Sequence, residues 1–463
     1  MQFEMFTKIP FAHLFLIICS VLGLCGQVAS VQAQGNDVKV GVLHSLTGTM
    51  AISEVSLKDA VLMAFEEINS KGGVLGKKIT PIVVDPKSDW PTFRKKANEL
   101  VLKHKVAVTF GCWTSASRKN VLDVYQDNNA LLFYPVQYEG EEQSRNVFYT
   151  GAVPNQQLIP AAKYMMEKLE TKKFYLLGTD HVFPRTANRV LIAYLKEKGV
   201  PARNIIEEYT PFHHQNYQTI VAKSKKFAAG GDACVLSTIN GDSNEPFYKE
   251  FANQGLDSDQ CPIMAFSVAE DELRAMDVPP LVGHLACWNY FQSVDTKANK
   301  TFIKNFKSYC RRNKLPGGSK RVTDDPIEAA YFGVYVWKAA VEKAKSFDVD
   351  KVRKAVYGLE FDAPGGKKKM HPTNQHTLKP VYVGKIRKDG QFDIVWKSDG
   401  LVSPDPYSAF LWRGKENRIS TPNSNNWKRA KAEWNRKFGE KQTEVSGSPR
   451  RPLRFWKRHN TNR

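Results

Sequence analysis

The 463-residue sequence is poor in cysteine and has a single long apolar run. Of its seven cysteines, Cys19 and Cys25 lie in or beside that run. The other five are Cys112, Cys234, Cys261, Cys287 and Cys310. They are odd in number and widely spaced, with no C-x-x-C pair, which excludes a disulfide framework and predicts buried thiols near strands, with room for one optional bridge. No stretch after residue 33 is long and apolar enough to cross a bilayer. The chain also lacks a G-x-S-x-G elbow, a Walker lysine loop and a strand followed by G-x-G-x-x-G, so the common hydrolase, P-loop and dinucleotide sites are excluded. His213–His214 and the pair His371 and His376 match no zinc spacing and read as solvated loop residues. Cys112 has no base that the sequence assigns to it. No metal, cofactor or catalytic residue is expected.

The apolar run, Phe11 to Leu24, follows Lys8 and precedes the small-residue site VQA. That order is the pattern of a cleaved leader over residues 1–33, with cleavage after Ala33. Ile18 and Leu24 stand where a lipoprotein signal needs a small residue before its cysteine. The formal charge of +20 suggests nucleic acid, but its location argues otherwise. From Arg413 onward there are fifteen Lys/Arg against four Asp/Glu, more than half of the net excess. No helix-turn-helix or zinc pattern accompanies them, so nucleic acid is excluded as a partner. Residues 413–463 read as a basic, solvated tail, able at most to make weak contact with an anionic membrane surface.

Between leader and tail the periodicities alternate strand and helix. VKVGV, VAVTF, ALLFYPV, FYLLG, DACVLST and PIMAF read as strands, and nearly every one runs into a polar and aromatic cluster that opens a helix. This predicts an α/β protein of two doubly wound, Rossmann-like lobes joined by a hinge of several crossings. Lobe one takes residues 38–156 plus 290–345. Lobe two takes 158–289 plus 346–410, the latter with an Asp-Gly hairpin at RKDGQ.

Ligands of open parallel sheets bind outside the carboxyl ends of the strands. The candidate residues are therefore those in the clusters. GCWTSASRK supplies Trp113 as a flat wall, with Thr114 and Ser115 at a helix start whose free N–H groups can donate. YPVQYEGEE supplies Tyr134, Gln137, Tyr138 and Glu139, the last an acceptor-only carboxylate suited to N–H donors. The second lobe supplies Asp180, Phe183, Asp242 and Glu270 from equivalent strand ends, although Asp180 and Asp242 also suit helix capping.

At these residues the chain resembles a known family. VGVLHSLTGTMAISE, SDWPTF, FGCWTSASRK, LLFYPVQYEGEE, FYLLGTDHVFPRTANR, GHLACWNYFQSVDT and RVTDDPIEAAY are similar to the urea-binding proteins of bacterial ABC transporters, within the wider group that binds branched-chain amino acids and amides. The likeness runs from about Val38 to Tyr407, and GCWTSASRK with YPVQYEG is its most specific part. It implies capture of urea outside the cytoplasm and delivery to ABC permease subunits. Ser115 and Glu270 stand near the places where the wider group holds an amino acid, so a short amide or a branched-chain amino acid is the alternative ligand. An amide sensor with regulatory partners is the alternative of another class, and an amide-cleaving enzyme a third.

Overall fold

The computed structural model describes residues 36–412. The leader and the basic tail expected from the sequence lie outside the described residues.

The first series is β1 (Asp37–Leu43), α1 (Ala51–Asn69), β2 (Lys78–Val84), α2 (Trp90–Asn98), β3 (Thr109–Gly111), α3 (Ser115–Asp127), β4 (Leu132–Tyr134) and β5 (Val147–Tyr149). Its sheet has the order β2-β1-β3-β4-β5, with β1, β3, β4 and β5 parallel. α2 starts where Asp89 accepts the Thr92 N–H at 2.9 Å and Pro91 needs no donor. The periodicity predicts that this helix runs to Lys105. Instead its last turn widens into a π-helix over Glu99–Lys103.

The second series is α4 (Leu158–Lys168), β6 (Lys173–Thr179), α5 (Val182–Glu197), β7 (Ile205–Thr210), α6 (Gln218–Ala228), β8 (Ala233–Thr238), α7 (Asn244–Asn253), β9 (Ile263–Ala265), α8 (Glu270–Leu273) and β10 (Leu285–Trp288). β10 begins four residues later than its apolar run suggests, because Pro279–Leu281 makes a 3-10 turn and Gly283 takes a positive φ of 88°. The chain then returns through α9 (Lys297–Arg312), α10 (Asp325–Ala344), α11 (Val349–Val356), β11 (Glu360–Ala363), β12 (Gly366–Met370) and β13 (Thr377–Leu378). It ends in β14 (Tyr382–Ile386), β15 (Phe392–Lys397) and α12 (Ala409–Trp412). The second sheet has the order β15-β14-β10-β9-β8-β6-β7, with the predicted hairpin β14–β15 joined antiparallel to β10.

The lobe boundaries need one correction. Residues 346–370 were expected in the second lobe, yet Val352, Val356, Ala363 and Met370 pack into the same core as β1–β5 and α10. α11 is amphipathic, and α10 offers the apolar face that covers it. Only from Val381 onward does the chain rejoin the second lobe, whose core lies on both faces of its sheet.

Three passages therefore connect the lobes, near 152–157, 289–292 and 378–381. Asn289 ties them together: its Nδ2 donates to the Gln156 carbonyl at 3.0 Å and the Pro380 carbonyl at 2.8 Å. Gln156 Nε2 in turn donates to the Thr377 and Val402 carbonyls, both at 2.9 Å. Crossings bonded to one another permit bending while resisting separation.

All five cysteines among the described residues are free and buried, as expected. Burial pushes their thiols above the ordinary range, which removes Cys112 as a nucleophile. His376 departs from its reading as a solvated loop residue. It is fully buried and stacks on Tyr149 at 4.3 Å, because the 371–376 turn folds back onto β5. His213 and His214 are exposed or nearly so, as expected.

Candidate ligand cleft

In each sheet the strand order reverses direction at one place: between β1 and β3 in the first, between β6 and β8 in the second. Loops diverge there, and their carboxyl ends form a crevice. The two crevices face each other. Thr49 Oγ1 reaches Asp242 at 3.4 Å, and Gln137 Nε2 donates to the Phe266 carbonyl at 2.8 Å.

The turn out of β3 differs in detail from the expectation that Gly111 makes it. Gly111 is required for close approach: a Cβ there would lie 2.4 Å from the Leu43 carbonyl oxygen. The reversal itself falls on Cys112, whose φ is 68°, in the left-handed region that non-glycine residues seldom occupy. Thr114 is the N-cap of α3, its side chain accepting the Ser117 N–H at 2.9 Å. Ser115 and Ala116 are then the first helical residues, whose N–H groups have no intrahelical acceptor. Trp113 is 4% exposed; its carbonyl accepts Tyr134 Oη at 2.5 Å, while its indole N–H has no partner among the described residues.

Four expected contact residues have their polar atoms committed elsewhere. Ser115, Tyr134, Tyr138 and Glu139 surround Arg118, which is wholly buried. Arg118 Nε donates to Glu142 Oε1 at 2.7 Å, Nη1 to Ser115 Oγ at 3.1 Å, and Nη2 to Glu139 at 3.4 Å. Its guanidinium lies 4.5 Å from the Tyr138 ring centre and 4.6 Å from that of Tyr134. Ser115 also donates to Glu139, and Tyr138 Oη meets His376 Nε2 at 2.6 Å. Burial works against the charge on Glu142, but Arg118 and Lys119 outweigh it and hold the carboxyl well below its usual range. The network clamps the GCWTSASRK turn to the YPVQYEGEE loop. It supports the cleft wall and leaves these four side chains little to offer a ligand.

The second-lobe candidates divide similarly. Asp180 accepts from Arg185 Nε at 2.8 Å; the N-cap of α5 is His181. Phe183 packs in the apolar core beside α4. Asp242 is half-exposed and pairs with His213 at 2.6 Å. Glu270 is buried, accepts the Gln292 N–H at 2.6 Å, and is pushed up to about 8 by burial against that opposing bond.

What the sequence reading missed is a polar chain from lobe to lobe. His181 Nε2 meets Asn240 Oδ1 at 2.8 Å, Asn240 Nδ2 donates to Ser267 Oγ at 2.8 Å, and Gln137 Nε2 approaches the same oxygen at 3.3 Å. The Asn240 oxygen can only accept, so His181 carries its proton on Nε2 and presents Nδ1 as an acceptor. Burial lowers the His181 pKa to about 4, which keeps the ring neutral. Both ends of the chain are unsatisfied: His181 Nδ1 and Gln137 Oε1 are buried acceptors without a partner. The signal available beforehand was position, since His181, Asn240 and Ser267 each lie just after a strand, β6, β8 and β9 in turn.

A family model described as a periplasmic binding protein domain matches residues 38–413. The chain is 24% identical over 341 residues to the leucine-, isoleucine-, valine-, threonine- and alanine-binding protein of Pseudomonas aeruginosa, covering 73% of this chain and 87% of that one. A 124-residue segment is 30% identical to a limonene hydroxylase from Geobacillus stearothermophilus, covering 27% of this chain and about a fifth (21%) of that relative's length. Among solved structures, a solute-binding protein of an ABC transporter from R. palustris in complex with 4-hydroxybenzoate superposes with a TM-score of 0.70 at 20% identity, over 79% of this chain and 98% of the other. A leucine-binding protein from Thermotoga maritima gives 0.67 at 17% identity, over 78% and 98%. The likeness to these structures places the fold among bilobed α/β binding proteins.

Proposed function

The chain belongs to the family of periplasmic binding protein domains, and from that premise we propose that its solute is urea, captured between the closing lobes and passed to an ABC-type permease. As a solute-binding protein of the ABC-transporter type it acts outside the cytoplasm, and a leader over residues 1–33 would direct its export. The observation that carries the urea reading is the pair of unsatisfied acceptors, Gln137 Oε1 and His181 Nδ1, at the ends of a neutral polar chain. Urea is flat and uncharged, and its four N–H groups need acceptors around an edge. The Trp113 indole N–H and the free amides at the start of α3 are donors suited to its oxygen.

An amino-acid ligand would require a free carboxylate for its ammonium group. Asp180 and Asp242 are already paired, and Glu270 is held mostly protonated at neutral pH. That favours a neutral ligand, although the named binding specificity of the Pseudomonas relative keeps a branched-chain amino acid as the second reading.

Calorimetric titration of residues 34–463 with urea, acetamide, formamide and leucine tests the assignment. Saturable urea binding with weak leucine binding supports it. Saturation by leucine with no heat from urea moves the ligand and keeps the clamp. Ammonia release on incubation with urea would instead mark an enzyme. Trp113→Ala is expected to remove tight urea binding while the circular dichroism spectrum stays native. Unchanged affinity in that variant would take Trp113 out of the site.

A further inference from the structure

The meeting of the lobes buries a row of carboxylates with too few cations. α8, in the second lobe, carries Glu270, Asp271 and Glu272, none more than 4% exposed. The first lobe sets α1 against them, and the charges of Glu272 and Asp271 reach Asp324 at the N-terminus of α10. Ser53 Oγ donates to Glu272 Oε1 at 2.7 Å, and Ser56 Oγ donates to Asp271. Arg321 donates to Ser56 Oγ at 2.6 Å and to Asp59 at 3.1 Å. Asp324, the N-cap of α10, is 1% exposed and accepts the Ile327 N–H at 2.9 Å.

The available cations are spoken for. Arg274 pairs with Asp271 at 3.0 Å, Lys58 and Arg321 with Asp59, Lys379 lies 3.8 Å from Asp325, and Lys368 pairs with Glu328. Tyr290 and Cys310, the other titratable groups against this seam, are neutral. None of the ion pairs among the described residues includes Glu270, Glu272 or Asp324. Glu270 Oε2 has no hydrogen-bond partner at all.

Carboxylates from opposite lobes packed together without a cation cannot all be ionised. Burial first, then the charge of Asp271, pushes Glu272 up to about 7. Burial, then Glu272 and Asp271, raise Asp324 well above its usual value. We propose that this seam is a proton-dependent latch: closing the lobes takes up protons on Glu272 and Asp324, and alkaline conditions loosen the closed form. Opening takes Glu272 away from Ser53 and from the neighbourhood of Asp324, so both groups move back toward ordinary carboxylate behaviour. A group whose pKa is raised in the closed form stabilises it fully below the open-form value, and that stability is lost as pH rises through the closed-form value. The window for Glu272 therefore runs from the ordinary glutamate range to about 7.

The latch rests on the clamp reading, and on urea only for the choice of probe. Urea does not titrate in this range, so any pH dependence of its binding belongs to the protein. Calorimetry with urea near pH 7, in phosphate and in Tris, reads proton exchange from the difference in apparent enthalpy. Uptake of about half to one proton per urea is expected, with affinity falling about thirtyfold or more between about pH 5.5 and 8.5. Glu272→Gln should flatten both, and Asp324→Asn should do so while keeping a capping oxygen. A wild-type protein that exchanges no protons and binds equally at both extremes overturns the latch. If urea gives no heat at any pH, small-angle scattering of the unliganded protein takes its place. A radius of gyration larger at the alkaline end, and constant in Glu272→Gln, supports the latch independently of urea; a constant wild-type radius overturns it.

Discussion

Replacing Arg118 with methionine is expected to destabilise the protein by about 3–5 kcal/mol, the range for removing one partner of a buried ionic network. The guanidinium is fully buried, bonds to Glu142, Ser115 and Glu139, and sits over two tyrosine rings. Methionine fills much of the volume but leaves Glu139 buried with only Ser115 and the distant Lys119, at 3.8 Å, to answer its charge. Thermal or guanidinium unfolding reads the loss. The pH dependence gives a second signature. Glu142 is depressed in the folded state, so its contribution is present above the ordinary glutamate range and is lost as pH falls through and below it. Wild type and variant should therefore converge in acid, where protonated carboxyls no longer need the guanidinium. A stability change under about 1 kcal/mol at neutral pH would contradict the account of Arg118 as the centre of this network.

Replacing Gln137 with leucine is expected to weaken binding by about 10- to 100-fold, with a smaller effect on unfolding. The loss corresponds to roughly 1.5–3 kcal/mol, in keeping with one bridging side chain that serves both lobes and the ligand. Gln137 is the residue of the first lobe that reaches the Phe266 carbonyl and Ser267, so its removal acts on closure as well as on contact. Leucine keeps the bulk but removes both cross-lobe bonds, leaving Ser267 Oγ to Asn240 and the Phe266 carbonyl to Gln157 alone. Calorimetry on the variant, with whichever solute the wild type binds, measures this. Unaltered affinity would remove the polar chain from the site.

Much of the site was legible in the sequence as position and little of it as role. The GCWTSASRK and YPVQYEGEE clusters read as strand-end clusters, and the strands they follow, β3 and β4, are neighbours. The reading did not foresee that Arg118, in the middle of the first cluster, would draw Ser115, Tyr134, Tyr138 and Glu139 onto itself. Periodicity tells which face a residue occupies; it says nothing of which of several nearby donors an acceptor will choose. The same limit hid His181, Asn240 and Ser267, which become a chain only when three separate strand ends are placed side by side. Phe183 went to the core because a buried face of α5 needed it, a matter settled by the neighbouring α4.

By itself the sequence determined the alternating α/β order, the two series of strands, the late hairpin with its Asp-Gly turn and the buried state of the thiols. These depend on local conformational preference and on hydrophobic period, which act over a few residues. Only the tertiary structure decided where 346–370 packs, that Asn289 ties three crossings together, and which acids meet across the cleft. Those features depend on surfaces brought together from segments well separated along the sequence. Burial then acts on the groups it encloses: it keeps His181 neutral, and it raises Glu272 and Asp324, which the charges of neighbouring acids push the same way.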